Sequence, residues 1–169
     1  MRRPLTVLAT AGLLAAFARP VAAASPSRTV QVIAPYSLED ALADYAASGD
    51  AFASCGEFDI LATFEGTVTV TDWGDRMLRH VVFTGRFYNA LDPSRSAGRI
   101  GNTATWRLFD AAGNWTEVHI HGISNMAVLD DGGRIAIDVG YSAFSLALEQ
   151  ELASAGPEEN SAALCEALD

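Results

Sequence analysis

Apolar and polar residues alternate along much of the chain beyond residue 57. Between Phe58 and Val70 the even positions are apolar except for Gly66, and most odd positions carry acidic or threonine side chains. A period of two indicates a β-strand with one buried face, and a glycine within it indicates a bend or bulge. Related patterns predict strands over 77–88, 100–109, 115–123 and 134–141, with 125–129 continuing or following the strand at 115–123. In the strand at 134–141, one face is predicted to carry Ile135, Ile137, Val139 and Tyr141.

The segment before these strands has a helical period. Ser37 precedes two acidic residues, as at a helix N-terminus, and Leu38, Leu42 and Tyr45 follow at helical spacing. We expect a short helix near 38–48, ended by Gly49. The short apolar run 30–33 before it is a linker or an added edge strand.

The C-terminal part of the chain also shows helical spacing. Phe144, Leu148 and Leu152 recur every four residues, which predicts a helix that Gly156 and the following proline would end. The final residues predict a short helical turn carrying Cys165.

Five or six long strands joined by short turns predict a mainly β fold, an antiparallel meander. We expect a small barrel or a strongly curved sheet with one or two short flanking helices. The alternative is an α+β cone, in which the N-terminal helix packs inside a curved sheet.

The N-terminus has the features of an export signal. Arg2 and Arg3 precede a 14-residue apolar run over 5–18, and Ala22 and Ala24 offer small residues for cleavage. The run is short for a membrane span, so we expect no stable membrane insertion. The predicted organisation is a signal peptide over 1–24, cleaved near Ala24, then a linker with a short helix over 25–54, then a β-rich domain over 55–169. The mature protein would be secreted.

Cys55 and Cys165 are the only cysteines in the chain. Export would place them in an oxidising compartment, where a disulfide persists, so we expect one bridge that closes the β-rich domain. The alternative is two separate thiols. Their spacing does not suit a paired-cysteine zinc or redox site.

The layout of the chain resembles that of a group of known proteins. Behind the export signal, Cys55 precedes strands linked by turns, and the chain closes on Cys165-Glu166-Ala167-Leu168. In this it resembles small exported β-rich proteins common in high-GC actinobacteria, and the absence of lysine and the abundance of alanine are typical of such a source. The resemblance covers residues 55–168. It implies a β-rich fold but no activity, and therefore supplies no functional residues.

The chain is acidic, with 21 Asp and Glu against 11 arginines among 169 residues and a net charge of −10. Removal of residues 1–24 takes away three arginines and no acid, which leaves −13 over 145 residues. This balance argues against nonspecific binding of nucleic acid or of an anionic membrane. Six arginines nevertheless lie between Arg76 and Arg107 with a single acid, Asp92. They form either a polar surface paired with acids elsewhere or an anion-binding face.

Histidines are the candidate metal ligands. His119 and His121 lie two residues apart on a predicted strand, so their side chains share a face with Glu117. Two imidazoles could form half of a divalent metal site, with Glu117 or His80, if its strand neighbours this one, completing it. The alternative is that these histidines are surface or hydrogen-bonded residues. A metal is the one cofactor that the sequence suggests.

Aromatic residues suggest a ligand pocket. Those expected to line it are Trp106, Trp115, Tyr88 and Tyr141. An apolar cavity with a few polar groups is the usual small-ligand site, although small barrels are often filled by their own side chains.

These observations order the hypotheses for function. The first is an exported, non-enzymatic β-barrel-like domain that binds a small apolar ligand or an extracellular partner, because no catalytic set is recognisable. The second is a metal-binding protein or metal-dependent enzyme that uses His119 and His121. The third is a cyclase- or isomerase-like barrel enzyme that acts on an apolar substrate.

Overall fold

A computed structural model describes residues 25–156 and 160–169. The predicted signal peptide lies outside the described residues. The strands are β1 (Ser27–Tyr36), β2 (Ala53–Ser54), β3 (Asp59–Ala62), β4 (Phe64–Asp72), β5 (Arg76–Asn89), β6 (Ser96–Phe109), β7 (Trp115–Val128), β8 (Arg134–Ser145) and β9 (Gln150–Ala155). The helices are α1 (Leu38–Ser48) and α2 (Ser161–Leu168).

The strands form one antiparallel sheet in the order β1-β4-β5-β6-β7-β8-β9, and β3 pairs with both β2 and β5. The predicted mainly β fold with short flanking helices is confirmed. The sheet does not close into a barrel: among the described residues, β1 and β9 are the two ends of the main strand order, and β2 is a further edge strand beside β3. The run 30–33 therefore belongs to an edge strand, since β1 pairs with β4 along most of its length.

The predicted helix near 38–48 is confirmed as α1. The Ser37 hydroxyl accepts a hydrogen bond from the Asp40 N–H, the Asp40 carboxylate accepts one from the Ser37 N–H, and Gly49 ends the helix in the left-handed conformation. This capping box and the glycine cap satisfy the free groups at the two helix ends. The predicted C-terminal turn around Cys165 is also confirmed, as α2.

The helix predicted from the spacing of Phe144, Leu148 and Leu152 is wrong. The chain stays in β8 as far as Ser145, which pairs with Glu117 of β7, then turns and returns as the edge strand β9. Leu148 and Leu152 remain 64% and 44% exposed. Most helical stability in proteins comes from packing of an apolar face, and these side chains are not packed against the core.

The predicted common face of Ile135, Ile137, Val139 and Tyr141 is also wrong. The ladder between β7 and β8 shifts register twice between Ile123 and Met126. A bulge adds a residue and changes which side chains face the core. Ile137 is consequently buried in the core, whereas Tyr141 pairs with His121 on the opposite face.

The core lies where α2 packs against one end of the sheet. Leu164 and Leu168 of α2 are fully buried with Phe87 of β5 and Ile60 of β3. We call the side of β5–β8 that meets α2 the core face, and the other side the outer face. The predicted disulfide is confirmed: it joins Cys55 to Cys165 and fastens α2 to the segment before β3. No helix in the described ranges is long and apolar enough to span a membrane.

Candidate functional site

Arg99 lies on the core face of β6 and is surrounded by phenylalanine rings. Its guanidinium carbon is 4.8 Å from the ring centre of Phe83, 5.3 Å from those of Phe52 and Phe87, and 5.9 Å from that of Phe64. Cations are attracted to aromatic faces within about 6 Å of the ring centre. The four rings therefore stabilise the charge from several directions.

The hydrogen-bond acceptors around Arg99 are neutral. The side-chain oxygen of Asn125 accepts from Nε at 2.9 Å and from Nη2 at 2.7 Å, and the Thr63 carbonyl accepts from Nη1 at 3.3 Å. Arginine has five N–H donors, so two remain, one on each terminal nitrogen. Among the described residues, no carboxylate lies within the 4.0 Å that defines an ion pair with Arg99.

A local departure from the sheet ladder supplies the Thr63 carbonyl. Thr63 separates β3 from β4, although both strands pair with β5 in one continuous register. The Arg86 N–H donates to the Thr63 hydroxyl at 3.0 Å, which leaves the Thr63 carbonyl free for Arg99. Gly85 permits this arrangement, because a Cβ at that position would overlap the Thr63 carbonyl oxygen. The alternating pattern that begins after residue 57 predicted one strand, whereas the structure interrupts it at Thr63, beside Arg99.

Burial lowers the pKa of Arg99 to about 10, because removal of water disfavours the charged form. The side chain remains cationic at neutral pH. A buried charge is costly unless polar partners or an opposite charge compensate it. Here the compensation comes from an amide, a carbonyl and aromatic rings, and the positive charge itself is not neutralised.

A cavity of about 250 Å³ opens beside Arg99. Tyr36, Phe52 and Phe64 supply aromatic walls, with the Tyr36 and Phe64 rings stacked at 5.2 Å. The remaining lining residues are Ala41, Asp50, Leu61 and Ala62. We call this space the Arg99 cavity. It combines an apolar lining with one cation, which is the usual composition of a small-ligand site.

Two tyrosine–aspartate hydrogen bonds hold α1 beside the cavity. Tyr36 of β1 donates to Asp44 at 2.7 Å, and Tyr45 of α1 donates to Asp59 of β3 at 2.6 Å. The hydrogen bond to Asp44 raises the pKa of Tyr36, and that to Asp59 raises the pKa of Tyr45. The Tyr45 hydroxyl in turn lowers the pKa of Asp59, with a further contribution from Ser54.

The structure brings part of the predicted histidine site together on the outer face. His119 lies between Glu117, whose carboxylate is 2.9 Å from Nε2, and Tyr141, whose hydroxyl is 2.8 Å from Nδ1. In the tautomer that carries its proton on Nε2, Nε2–H donates to the Glu117 carboxylate and Nδ1 accepts from the tyrosine hydroxyl. Both ring nitrogens of His119 are therefore engaged within the protein.

The other two histidines are placed apart from His119. His121 is exposed, and His80 has its Nε2 2.7 Å from the side-chain oxygen of Asn102. Ala104 of β6 lies between His80 and His121 in the sheet register. No group of three or more histidine, cysteine or carboxylate side chains suited to a metal occurs in the described part of the chain. Metal binding by these residues stays a prediction.

The aromatic residues predicted to line a pocket are dispersed. Trp106 pairs with His119 across the sheet and stacks on Trp73, with ring centres 5.5 Å apart. Trp115 instead lies 4.1 Å from the guanidinium of Arg107, and Tyr88 borders a different cavity, beside Arg86. The aromatic walls of the Arg99 cavity are instead Tyr36, Phe52 and Phe64, which the sequence analysis did not assign to a pocket.

The six arginines between residues 76 and 107 are only partly paired with acids in the described part of the chain, and an anion-binding face stays a prediction. Arg76 and Arg95 form ion pairs with acidic residues, as a paired surface would. By register, Arg79, Arg99 and Arg107 share the core face, and within the described residues none of them has a carboxylate within ion-pair distance. The cluster of arginines between residues 76 and 107 was therefore the one sequence feature that pointed to Arg99.

No family model matches this chain, and neither the curated proteins nor the solved structures contain a match. The interpretation of the site consequently depends on its own geometry.

Proposed function

We propose that this protein is an exported, non-enzymatic binding protein that takes a small, largely apolar molecule into the Arg99 cavity. The observation that carries the proposal is the cavity itself, about 250 Å³ with three aromatic walls. Transfer of an apolar molecule from water to such a surface is favourable by roughly 25 cal/mol per Å² of apolar area buried.

The position of the cavity supports binding rather than simple packing. It lies beside α1 at the margin of the buried cluster beneath α2, against which Phe52 and Ala62 of its lining pack. Interiors are normally packed with few voids larger than a water molecule. The two tyrosine–aspartate hydrogen bonds hold α1 at this distance from the sheet, which keeps the space preformed.

The test is a titration with benzyl alcohol, a neutral aromatic probe, followed by backbone and methyl NMR shifts. We expect saturable shifts at the lining residues, centred on Ala62. Ala62→Met should fill the cavity and weaken binding at least tenfold. Ala153→Met is the matched control, because Ala153 is exposed on the edge strand β9. The proposal fails if the wild type shows no saturable shifts or if Ala62→Met binds as well as the control.

A further inference from the structure

Among the described residues, Arg99 has no negatively charged partner, although the protein is strongly acidic. The chain has 21 acidic residues, yet the acceptors that the fold supplies to Arg99 are an amide and a backbone carbonyl. An aspartate at position 125 would have neutralised the charge, whereas the asparagine there does not. The charge is left available on the wall of the Arg99 cavity.

The N–H groups of Arg99 that remain free indicate which ligand group the site could bind. One N–H on Nη1 and one on Nη2 remain after the bonds to Thr63 and Asn125 are counted. Arginine binds carboxylates with parallel N–H groups, and such charge-assisted bonds are shorter and stronger than neutral ones. Phe52 and Phe64 lie against the same guanidinium and line the same cavity.

We infer that the ligand is a small aromatic or compact aliphatic monocarboxylate, with its carboxylate on the terminal nitrogens of Arg99 and its apolar body against Phe52, Phe64 and Tyr36. This inference rests on the proposed function and specifies the chemical class of its ligand.

The charges around the cavity favour a monoanion. Within the described ranges, Arg99 is the only basic residue that lines it, and Asp50 also lies on the lining. A phosphate or dicarboxylate would place a second negative charge near Asp50 with no second cation to receive it. A monocarboxylate requires one cation, which is what the cavity provides.

The volume limits the size of the ligand. A water molecule occupies about 30 Å³ of liquid, so 250 Å³ corresponds to roughly eight such volumes. A ring with a carboxylate fits this space, whereas a long acyl chain would extend beyond it.

The experiment compares benzoate with its neutral isostere benzamide by isothermal titration calorimetry on the wild-type protein at pH 7. We expect benzoate to bind at least tenfold more tightly. Arg99→Met should remove that preference while benzamide binding persists. Arg134→Met is the control, because Arg134 is exposed at the start of β8 and should leave the preference unchanged.

The outcomes separate the two levels of the proposal. Equal binding of benzoate and benzamide, with benzyl alcohol still saturable, would overturn the carboxylate inference and leave the proposed function standing. Failure of all three probes to bind would remove both. The wild-type comparison decides the inference even if Arg99→Met does not fold, and loss of the preference in Arg134→Met would overturn the assignment to Arg99.

Discussion

Reduction of the disulfide tests how the two ends of the β-rich domain are held together. The bridge spans 110 residues of sequence, with the two Cα atoms 5.5 Å apart. The chain-entropy model gives about 16 cal/mol/K for a loop of that length, which is about 4.8 kcal/mol at 25 °C. The free energy of unfolding of a domain is about 5–15 kcal/mol, so this contribution is a large fraction of the total.

The assay is urea unfolding at neutral pH, followed by tryptophan fluorescence and by circular dichroism. With a slope of about 2 kcal/mol per molar urea, the loss of 4.8 kcal/mol lowers the midpoint by roughly 2.4 M. We expect this shift for the wild type in reductant and a similar one for the double variant Cys55→Ala/Cys165→Ala. Reductant should not shift the double variant further, which controls for direct effects of the reductant.

Two results would refute this reasoning. A midpoint change below roughly 0.5 M would mean that the bridge adds little beyond the packing of α2. Separate transitions for the two probes would mean that α2 detaches on its own, so that a single free energy no longer describes unfolding.

Three further substitutions test other parts of the structure. Leu164→Ala removes a fully buried side chain from the core and should lower the free energy of unfolding by about 2–5 kcal/mol in urea, with a change below 1 kcal/mol contradicting the core assignment. Gly85→Ala places a Cβ on the Thr63 carbonyl and should cost about 1–3 kcal/mol in the same assay, whereas a neutral effect would show that this carbonyl can move. The hydrogen bond from Tyr45 lowers the pKa of Asp59, so its stabilisation is present above about pH 4, the unfolded pKa, and is lost as pH falls through the lower folded pKa. Melting temperatures of Tyr45→Phe should therefore fall less steeply below pH 4 than those of the wild type, and parallel curves would contradict the linkage.

Local patterns predicted most of the sheet, because burial on one face imposes a period of two. Phe58, Ile60 and Val68 occupy even positions and are all buried. Ser37 and Gly49 bounded α1 correctly, since both act through backbone groups only a few residues away. The disulfide was predictable because two cysteines leave a single pairing.

Features that depend on several strands at once were not accessible from the sequence. The irregularity opposite Ile123–Met126 leaves Ile137 without a ladder partner and changes the face of the residues that follow it in β8, and no local pattern marks it. The cavity around Arg99 needs phenylalanines from three separate parts of the chain, brought together by strand register. The spacing of Leu148 and Leu152 matched a helix, but pairing of β8 and β9 determined the outcome.

Because α2 follows the sheet in sequence and completes the core, the core can form only after α2 has been synthesised. The Asn89 amide donates to the Leu168 carbonyl across 79 residues of sequence, and the core around Phe87 includes Leu164. Ribosomes add about 5–20 residues per second, so α2 is completed about 4–16 s after β5. During that time the apolar surface of β5 is not covered by α2. A nascent chain therefore passes through this interval without a complete core. The core closes, and Cys165 reaches Cys55, only after α2 has been synthesised.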